Sequence, residues 1–220
     1  MADSGSDVVG IGNAIVDVLA RAEDAFLVKH GLEKGTMTLI EADRARKLYE
    51  VMGPAREVSG GSAANTLAGI ASLGGDGAYI GKVRNDQLGG VFSHDIRAAG
   101  VDFRSWPAEA GPPTARCLIF VTPDAQRTMQ TYLGVSVELG ADDIDPVAIG
   151  AARITYLEGY LFDRPEAKQA FVKAAEIAHA AQADSPAGLA RQKMVRLIND
   201  AGRLPVERDA LYNEIKIYDN

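Results

Sequence analysis

Gly60-Gly61-Ser62-Ala63-Ala64-Asn65 is the most informative feature of the chain, because it joins a glycine pair to the start of a predicted helix. Apolar residues follow it at helical spacing: Ala64, Leu67, Ala68 and Ala71. Paired glycines that open a helix let a ligand approach bare backbone N–H groups at the positive end of the helix dipole. Asn65 adds an amide one turn into that helix. The alternative is a glycine pair that only permits a tight turn between a strand and a helix.

Working outward from this helix, strand-like and helix-like segments alternate along the chain. The patterns predict strands at 7–12, 15–20, 36–40, 78–83, 114–121, 127–132 and 153–157, and helices at 23–30, 41–52, 91–99 and 165–181. This alternation is typical of an α/β sheet covered on both faces. The additional polar-flanked strands predict a small sheet that stands off the main one, or else they extend the main sheet.

Composition narrows the classes of function. The chain has 220 residues, 47% of them hydrophobic, and a net charge of -7, which argues against nucleic-acid binding. Residues 1–7 are polar and acidic, and no window approaches 18 consecutive apolar residues, so we expect no secretion and no membrane insertion. The single cysteine, Cys117, lies in an apolar run and is predicted to be a buried thiol. A cytoplasmic protein is expected.

Two further motifs lead to a resemblance. They are Gly12-Asn13-Ala14-Ile15-Val16-Asp17 and the run from Leu73 to Gly89 that contains Gly74-Gly75-Asp76. Together with the glycine-pair helix, they resemble the PfkB, or ribokinase-like, kinases from about residue 8 to 181. Within that family, the motif sequences are most similar to those of the adenosine-kinase-like branch. The resemblance implies a ribokinase-like three-layer α/β fold with a small β lid over a sugar site. The lid strands would be residues 15–20, 36–40 and 114–132.

The resemblance also implies a substrate site. Asp17 matches the family aspartate that grips ribose hydroxyls, and Gly60 and Gly61 match the pair that offers backbone to the sugar. Asn65 matches a helix asparagine that bonds another hydroxyl, and Asn13 lies where the adenosine-kinase-like branch keeps an asparagine near the substrate. On residue type alone, Asp17 could equally be a solvated carboxylate at a strand end, and Asn65 a cap amide that bonds only the protein.

Members of the resembling family use ATP and Mg²⁺, and they carry an Asp-Thr-x-Gly-Ala-Gly-Asp stretch that supplies the base and the anion hole. This sequence contains no such stretch and no Asn-x-x-Glu magnesium motif, so the nucleotide-binding half is expected to be missing. No catalytic residue is assigned, and binding of ATP and Mg²⁺ by this chain is not expected. The three histidines lie far apart in the sequence, so no metal site is predicted either.

The last stretch, residues 182–220, departs from the kinase pattern and is predicted to be an unrelated helical tail. Its apolar stripe has helical spacing: Ala190, Met194, Leu197, Ile198 and Ala201. A second, short helix is predicted at 205–212. Residues 184–220 resemble the C-terminal end of radical-SAM enzymes that make menaquinone precursors or deazaflavin. Those enzymes hold an iron–sulfur cluster on three cysteines, and this chain has one. We interpret this change of pattern as a join of two unrelated gene pieces.

Two functions from different classes follow. The first is an ATP-dependent sugar or nucleoside kinase, represented by its substrate-binding portion, with adenosine or a related ribosyl compound as the favoured acceptor. The second is a non-catalytic module derived from such a kinase, which binds a ligand or a second subunit. The expected partner is a small-molecule sugar or nucleoside, and self-association is expected through the lid or an exposed sheet edge. The sequence does not choose among adenosine, ribose and fructose.

Overall fold

The computed structural model of the chain describes residues 5–162, 164–183 and 194–198. Its main sheet is entirely parallel, with the strand order β10-β9-β1-β5-β6. The strands are β1 (Val8–Ile11), β5 (Gly77–Ile80), β6 (Asp102–Phe103), β9 (Ile154–Glu158) and β10 (Met194–Ile198). Strands β1 and β5 are nearly continuous runs of buried residues, as expected where helices cover both faces of a parallel sheet.

A second sheet of five strands stands apart from the first, in the order β3-β8-β7-β2-β4. Its strands are β2 (Ile15–Arg21), β3 (Met37–Leu39), β4 (Ala55–Gly60), β7 (Ala115–Val121) and β8 (Arg127–Tyr132). The lid strands expected at 15–20, 36–40 and 114–132 all belong to it, so the prediction of a separate small sheet is confirmed. The alternative, in which these strands extend the main sheet, is wrong.

In the described part of the chain, six α-helices connect and cover the strands: α1 (Asp24–Lys29), α2 (Ala42–Val51), α3 (Ser62–Ser72), α4 (Gln87–Ala98), α5 (Pro146–Ala151) and α6 (Pro165–Ala183). One core cluster joins the lid to α3 and α4, and it includes Val18, Leu67 and Phe92. A second cluster, around Leu157 and Phe171, packs α6 on the opposite face of the main sheet. Helices on both faces of the parallel sheet confirm the three-layer α/β architecture.

The structure corrects two expectations. The helical stripe predicted over residues 190–201 is wrong at Met194–Ile198, which is strand β10 and pairs in parallel with β9. Apolar residues three and four apart suit a buried strand as well as a helix, so tertiary pairing decided between them. Strand β4, which precedes the glycine pair, was not predicted, because its residues Ala55–Gly60 have no clear alternation of polar and apolar types. The short helix predicted at 205–212 lies outside the described residues.

Among the described residues, no helix is both long enough and apolar enough to cross a bilayer. The predicted burial of Cys117 is confirmed, since its side chain lies in β7 with 6% exposure. Thr131 donates a hydrogen bond to its sulfur from the neighbouring strand β8. Burial raises the pKa of this thiol to about 11, so it stays protonated at neutral pH.

Candidate substrate site

The glycine pair sits where lid strand β4 ends and helix α3 begins. Gly61 has a φ of 95°, a conformation that side-chain-bearing residues rarely adopt, and a Cβ placed on it would lie 2.5 Å from the carbonyl oxygen of Asn13. The backbone of Gly61 therefore packs directly against the loop that leads from β1 to β2. This close approach explains why glycine stands here, and it brings together two segments that were predicted to belong to one site, the loop of Asn13 and the glycine turn.

Glu158, at the end of β9, organises these segments, and it was missed at the sequence level. Its side chain is 2% exposed, and its carboxylate accepts hydrogen bonds from both Ser62 and Ala63 in the first turn of α3. It also accepts two hydrogen bonds from Asn13, on the other side of the site. A carboxylate at a helix N-terminus is favoured by the helix dipole and by the unpaired N–H groups there. Only the pairing of β9 with β1 brings Glu158 to this place.

Asn13 is held tightly inside this network. Its side chain is 2% exposed, its amide nitrogen donates to Glu158 at 3.1 Å, and its amide oxygen accepts a hydrogen bond from Ser136 at 2.9 Å. Both ends of the amide are therefore bonded to protein. Asn13 thus stands inside the predicted site, where its contacts fix the loop after β1 in position.

Asp17 lies in lid strand β2, and its carboxylate packs against Gly60. A methyl group on Gly60 would overlap the carboxylate, so the glycine leaves the space that Asp17 occupies. Burial raises the pKa of Asp17 to about 6, and the positive charge of Arg127 partly opposes that shift. Within the described residues, no protein group donates a hydrogen bond to this carboxylate. A half-buried acid without a partner is an acceptor available to a ligand.

Asn65 lies one turn into α3, where its backbone N–H donates to the carbonyl of Gly61 at 2.9 Å. Its side chain is exposed, in contrast to the buried Ala63 and Ala64 beside it. The structure thus connects Gly60, Gly61 and Asn65 through one strand-to-helix turn, and it places Asp17 against the first of them. The proposal that Asn65 and Asp17 bind the same molecule belongs with the function below.

The described residues offer little for the phosphoryl donor. No group of three His, Cys, Asp or Glu side chains among them is placed to hold a metal ion. Asp76 lies in the turn between α3 and β5, where its backbone N–H donates to Asp7. These residues therefore provide no metal-binding cluster that could hold Mg²⁺.

Comparison with known proteins gives the family. The model of the pfkB family carbohydrate kinases matches residues 38–202, which is more than half of the chain. The chain belongs to the PfkB family. The match includes lid strand β4, the glycine pair, helix α3 and strand β9, so the candidate site lies within it apart from Asn13 and Asp17. It also runs past residue 181, to include strand β10.

Solved PfkB-family structures agree with the adenosine-kinase-like branch. Adenosine kinase from Sinorhizobium meliloti is 58% identical, with a TM-score of 0.74, and the match covers 80% of this chain and 54% of that one. A probable sugar kinase from Rhizobium etli CFN 42 is 49% identical, with a TM-score of 0.76, and the match covers 87% and 56% of the two chains. The ribokinase-like fold is thereby established.

Curated relatives are more distant. Guanosine-inosine kinase of Escherichia coli (strain K12) is 26% identical over 161 residues, which are 70% of this chain and 37% of that protein. The chain thus spans about half the length of the solved relatives and less of this curated one. A short match of 43 residues, 49% identical, to aminodeoxyfutalosine synthase of Thermus thermophilus covers 20% of this chain and 12% of that protein. It accords with the resemblance to radical-SAM enzymes.

Proposed function

We propose that this chain carries the acceptor-binding portion of an ATP-dependent sugar or nucleoside kinase, with adenosine or a related ribosyl compound as the favoured acceptor. Family membership supports a hydroxylated acceptor. The 58% identity to an adenosine kinase supports a nucleoside over a free hexose. The guanosine-inosine kinase among the relatives supports the same class of acceptor.

One observation carries the proposal: the Asp17 carboxylate is half-buried, has no protein donor in the described residues and faces the glycine turn. An ionised carboxylate offers two acceptor oxygens, which suit the two O–H donors of vicinal ribose hydroxyls. Folding has already removed part of the water around this carboxylate. A ligand that donates two hydrogen bonds therefore restores hydrogen bonds that the carboxylate lost on burial.

The remaining groups would surround the same sugar. Gly60 and Gly61 expose backbone without side chains, so a ligand can approach the chain closely beside Asp17. Asn65 would donate or accept at a further hydroxyl from the first turn of α3. We therefore expect the side chains of Asp17 and Asn65 to converge on one cleft, within about 12 Å of each other, as a site of monosaccharide size requires. Asn13 would act by holding the loop that carries the strand of Asp17.

Phosphoryl transfer needs groups that these residues do not offer. Proteins of this family use ATP and Mg²⁺, yet the described residues hold no metal-binding cluster, and the 220 residues lack the Asp-Thr-x-Gly-Ala-Gly-Asp motif. No step through the nucleotide is therefore derived. This absence favours the second function, a module that binds the acceptor without phosphorylating it, for the 220-residue chain on its own. Loss of one oxyanion-hole donor costs about a hundredfold to a thousandfold in rate, and the motif that supplies both the base and the anion hole in the family does not occur in this sequence.

Calorimetric titration of the full chain with adenosine, inosine, ribose and fructose tests the acceptor site. We expect saturable binding that is tightest for the nucleosides, and at least a tenfold loss in Asp17→Asn, roughly the value of a charge-assisted hydrogen bond. Asp24→Asn is the matched control, because Asp24 is 66% exposed and pairs only with Lys34 at the surface. Equal binding by both variants would refute the acceptor site.

A transfer assay separates the two functions. With radiolabelled ATP, Mg²⁺ and the same acceptors, we expect no product above background from the chain alone. ATP-dependent turnover that disappears in Asp17→Asn would show that the chain contains a base and an anion hole after all. Binding without turnover would support the non-catalytic module.

A further inference from the structure

A groove of about 760 Å³ lies between helix α4 and the loop that follows β6. Helix α4 lines it with residues spaced three and four apart, which share one face: Gly90, Ser93, His94 and Arg97. Trp106 is among the residues that line it from the loop. None of the five predicted substrate residues lines this groove, and neither does Glu158, so it is separate from the candidate substrate site.

The groove concentrates positive charge on an acidic protein. Arg84, Arg97 and Arg104 line it, in a chain whose net charge is -7. Asp86 is the one acidic residue among the lining residues, and its carboxylate is occupied. It caps α4 by accepting from Gly89 at 2.8 Å, and it also accepts from the hydroxyl of Thr114 at 2.7 Å. Arg104 is paired with Asp102 at 2.7 Å, so the positive charge left for a ligand is that of Arg84 and Arg97.

Two of these arginines are fixed in position and keep donors available. Arg97 donates from Nε to the carbonyl of Phe103 at 2.8 Å, and its guanidinium lies 5.7 Å from the centre of the Phe103 ring. These contacts hold the side chain and leave the terminal nitrogens for a ligand. Arg84 bonds the carbonyl of Gly111 through one terminal nitrogen, while its other terminal nitrogen has no hydrogen-bond partner in the described part of the chain.

Trp106 supplies the apolar surface of the groove. It is 92% exposed, and it is the only tryptophan in the chain. A large aromatic ring left in water beside arginines is typical of sites that stack a planar group and neutralise an anion. Any nucleobase can stack on such a ring, because every base has a π-face.

We propose that this groove binds a nucleotide, with the phosphates on Arg97 and Arg84 and the base on Trp106. The volume lies within the range of small-molecule sites, roughly 300 to 1,000 Å³. The acidic net charge of the chain disfavours a long polyanion and therefore favours a mononucleotide over a nucleic acid. This binding site is independent of the acceptor site and goes beyond the function proposed above.

The lone tryptophan makes the test direct, because its fluorescence reports on the groove itself. The full chain is titrated, without Mg²⁺, with ATP, AMP, adenosine and inorganic phosphate. We expect saturable quenching by ATP and AMP, weaker binding of phosphate, and no quenching by adenosine at concentrations where AMP saturates. Arg84→Gln and Arg97→Gln together should weaken AMP binding at least about tenfold and reduce its salt dependence.

Three controls keep the outcome clear. Arg46→Gln removes a 57% exposed surface charge from α2 and should leave the quenching unchanged. Arg97→Gln alone keeps the contacts of Arg84, and thermal unfolding of this variant shows whether a loss of affinity comes from misfolding. Asp17→Asn should also leave the quenching unchanged, which distinguishes this groove from the acceptor site.

Three outcomes would overturn the proposal. One is the absence of saturable quenching at millimolar AMP. The second is quenching that is lost in Asp17→Asn but retained in the arginine variants. The third is tighter binding of a single-stranded oligonucleotide than of ATP. Calorimetry on Trp106→Ala, where we expect weaker AMP binding, checks the stacking without fluorescence.

Discussion

Asn13 and Glu158 are 145 positions apart in the chain, yet the Glu158 carboxylate accepts from both the backbone N–H of Asn13, at 2.7 Å, and its side-chain amide, at 3.1 Å. The same carboxylate bonds Ser62 and Ala63 at the start of α3. The loop after β1, the end of β9 and the glycine turn are therefore held by one buried side chain. Four donors converge on it, so its charge is solvated by the protein.

Replacing this carboxylate by an amide of the same shape should destabilise the fold. In Glu158→Gln, the new NH₂ group would face N–H donors, so at least one hydrogen bond would be lost and a donor left unpaired. We expect the free energy of unfolding to fall by about 2 to 3 kcal/mol, measured by urea denaturation at pH 7. Glu50→Gln is the control, because Glu50 is a 57% exposed partner of Arg46 and should change stability by less than about 0.5 kcal/mol. Equal values for the two variants would refute the role of Glu158.

Asp17 should lower stability at neutral pH, because its pKa is raised from 3.8 to about 6 by burial. As pH rises between these values, the unfolded chain releases this proton before the folded chain does, so the free energy of unfolding falls and stays lower above about pH 6. Asp17→Asn should therefore be more stable than the parent by about 1 to 2 kcal/mol at pH 7.5 and equal to it below about pH 4. Denaturation curves across this range measure the difference. A variant that is less stable at pH 7.5 would contradict the prediction.

The same titration should control ligand binding. A carboxylate accepts two hydrogen bonds from vicinal hydroxyls, whereas its protonated form carries a donor in that place. Nucleoside affinity should therefore decrease as pH falls through about 6, and the decrease should be absent from the residual binding of Asp17→Asn. Calorimetry at several pH values checks this. A nucleoside affinity that stays constant from about pH 5 to pH 8 would contradict the binding of the acceptor by the Asp17 carboxylate.

The two glycines of the turn should respond differently to alanine. Gly61→Ala forces a side chain into a φ of 95° and against Asn13, so we expect a loss of about 1 to 3 kcal/mol in stability. Gly60→Ala displaces the Asp17 carboxylate and should weaken acceptor binding more than stability. Gly69→Ala is the matched control within α3, where a Cβ meets nothing within 4 Å, and it should stabilise the chain by about 0.5 to 1 kcal/mol. Thermal unfolding and calorimetry separate these outcomes.

Strand β10 covers the β9 edge of the main sheet, which was expected to be open. Proline at Arg196, which pairs with Tyr156 of β9, places a residue without an N–H and with a fixed φ in the middle of β10. Arg196→Pro should therefore expose β9 and increase self-association, measured by light scattering after size exclusion. Arg196→Thr, which keeps the backbone donor, is the control and should match the parent. Unchanged mass in the proline variant would show that β10 does not protect this edge.

Local patterns were enough for most of the elements. Strand β2 and helix α3 were predicted correctly from the alternation and the stripe of their apolar residues. A period of two or of 3.6 residues is visible within a few neighbouring positions. The turn at Gly60 and Gly61 was also identified, since glycine pairs mark positions that other residues tolerate poorly. Strand β10 was predicted as a helix because a short apolar run suits either element until a partner strand is present.

Local spacing and motifs were sufficient to predict the α/β class and the PfkB family, and they supplied a set of candidate site residues around Gly60 and Gly61. Tertiary contacts brought Glu158 to Asn13 and the start of α3, buried Asp17 against Gly60, and placed three arginines and Trp106 along one groove. Each of these depends on which strands pair and on which side chains lose water. Such long-range contacts leave no periodic trace in the sequence, since the free energy that selects them comes from burial and hydrogen bonding between distant segments.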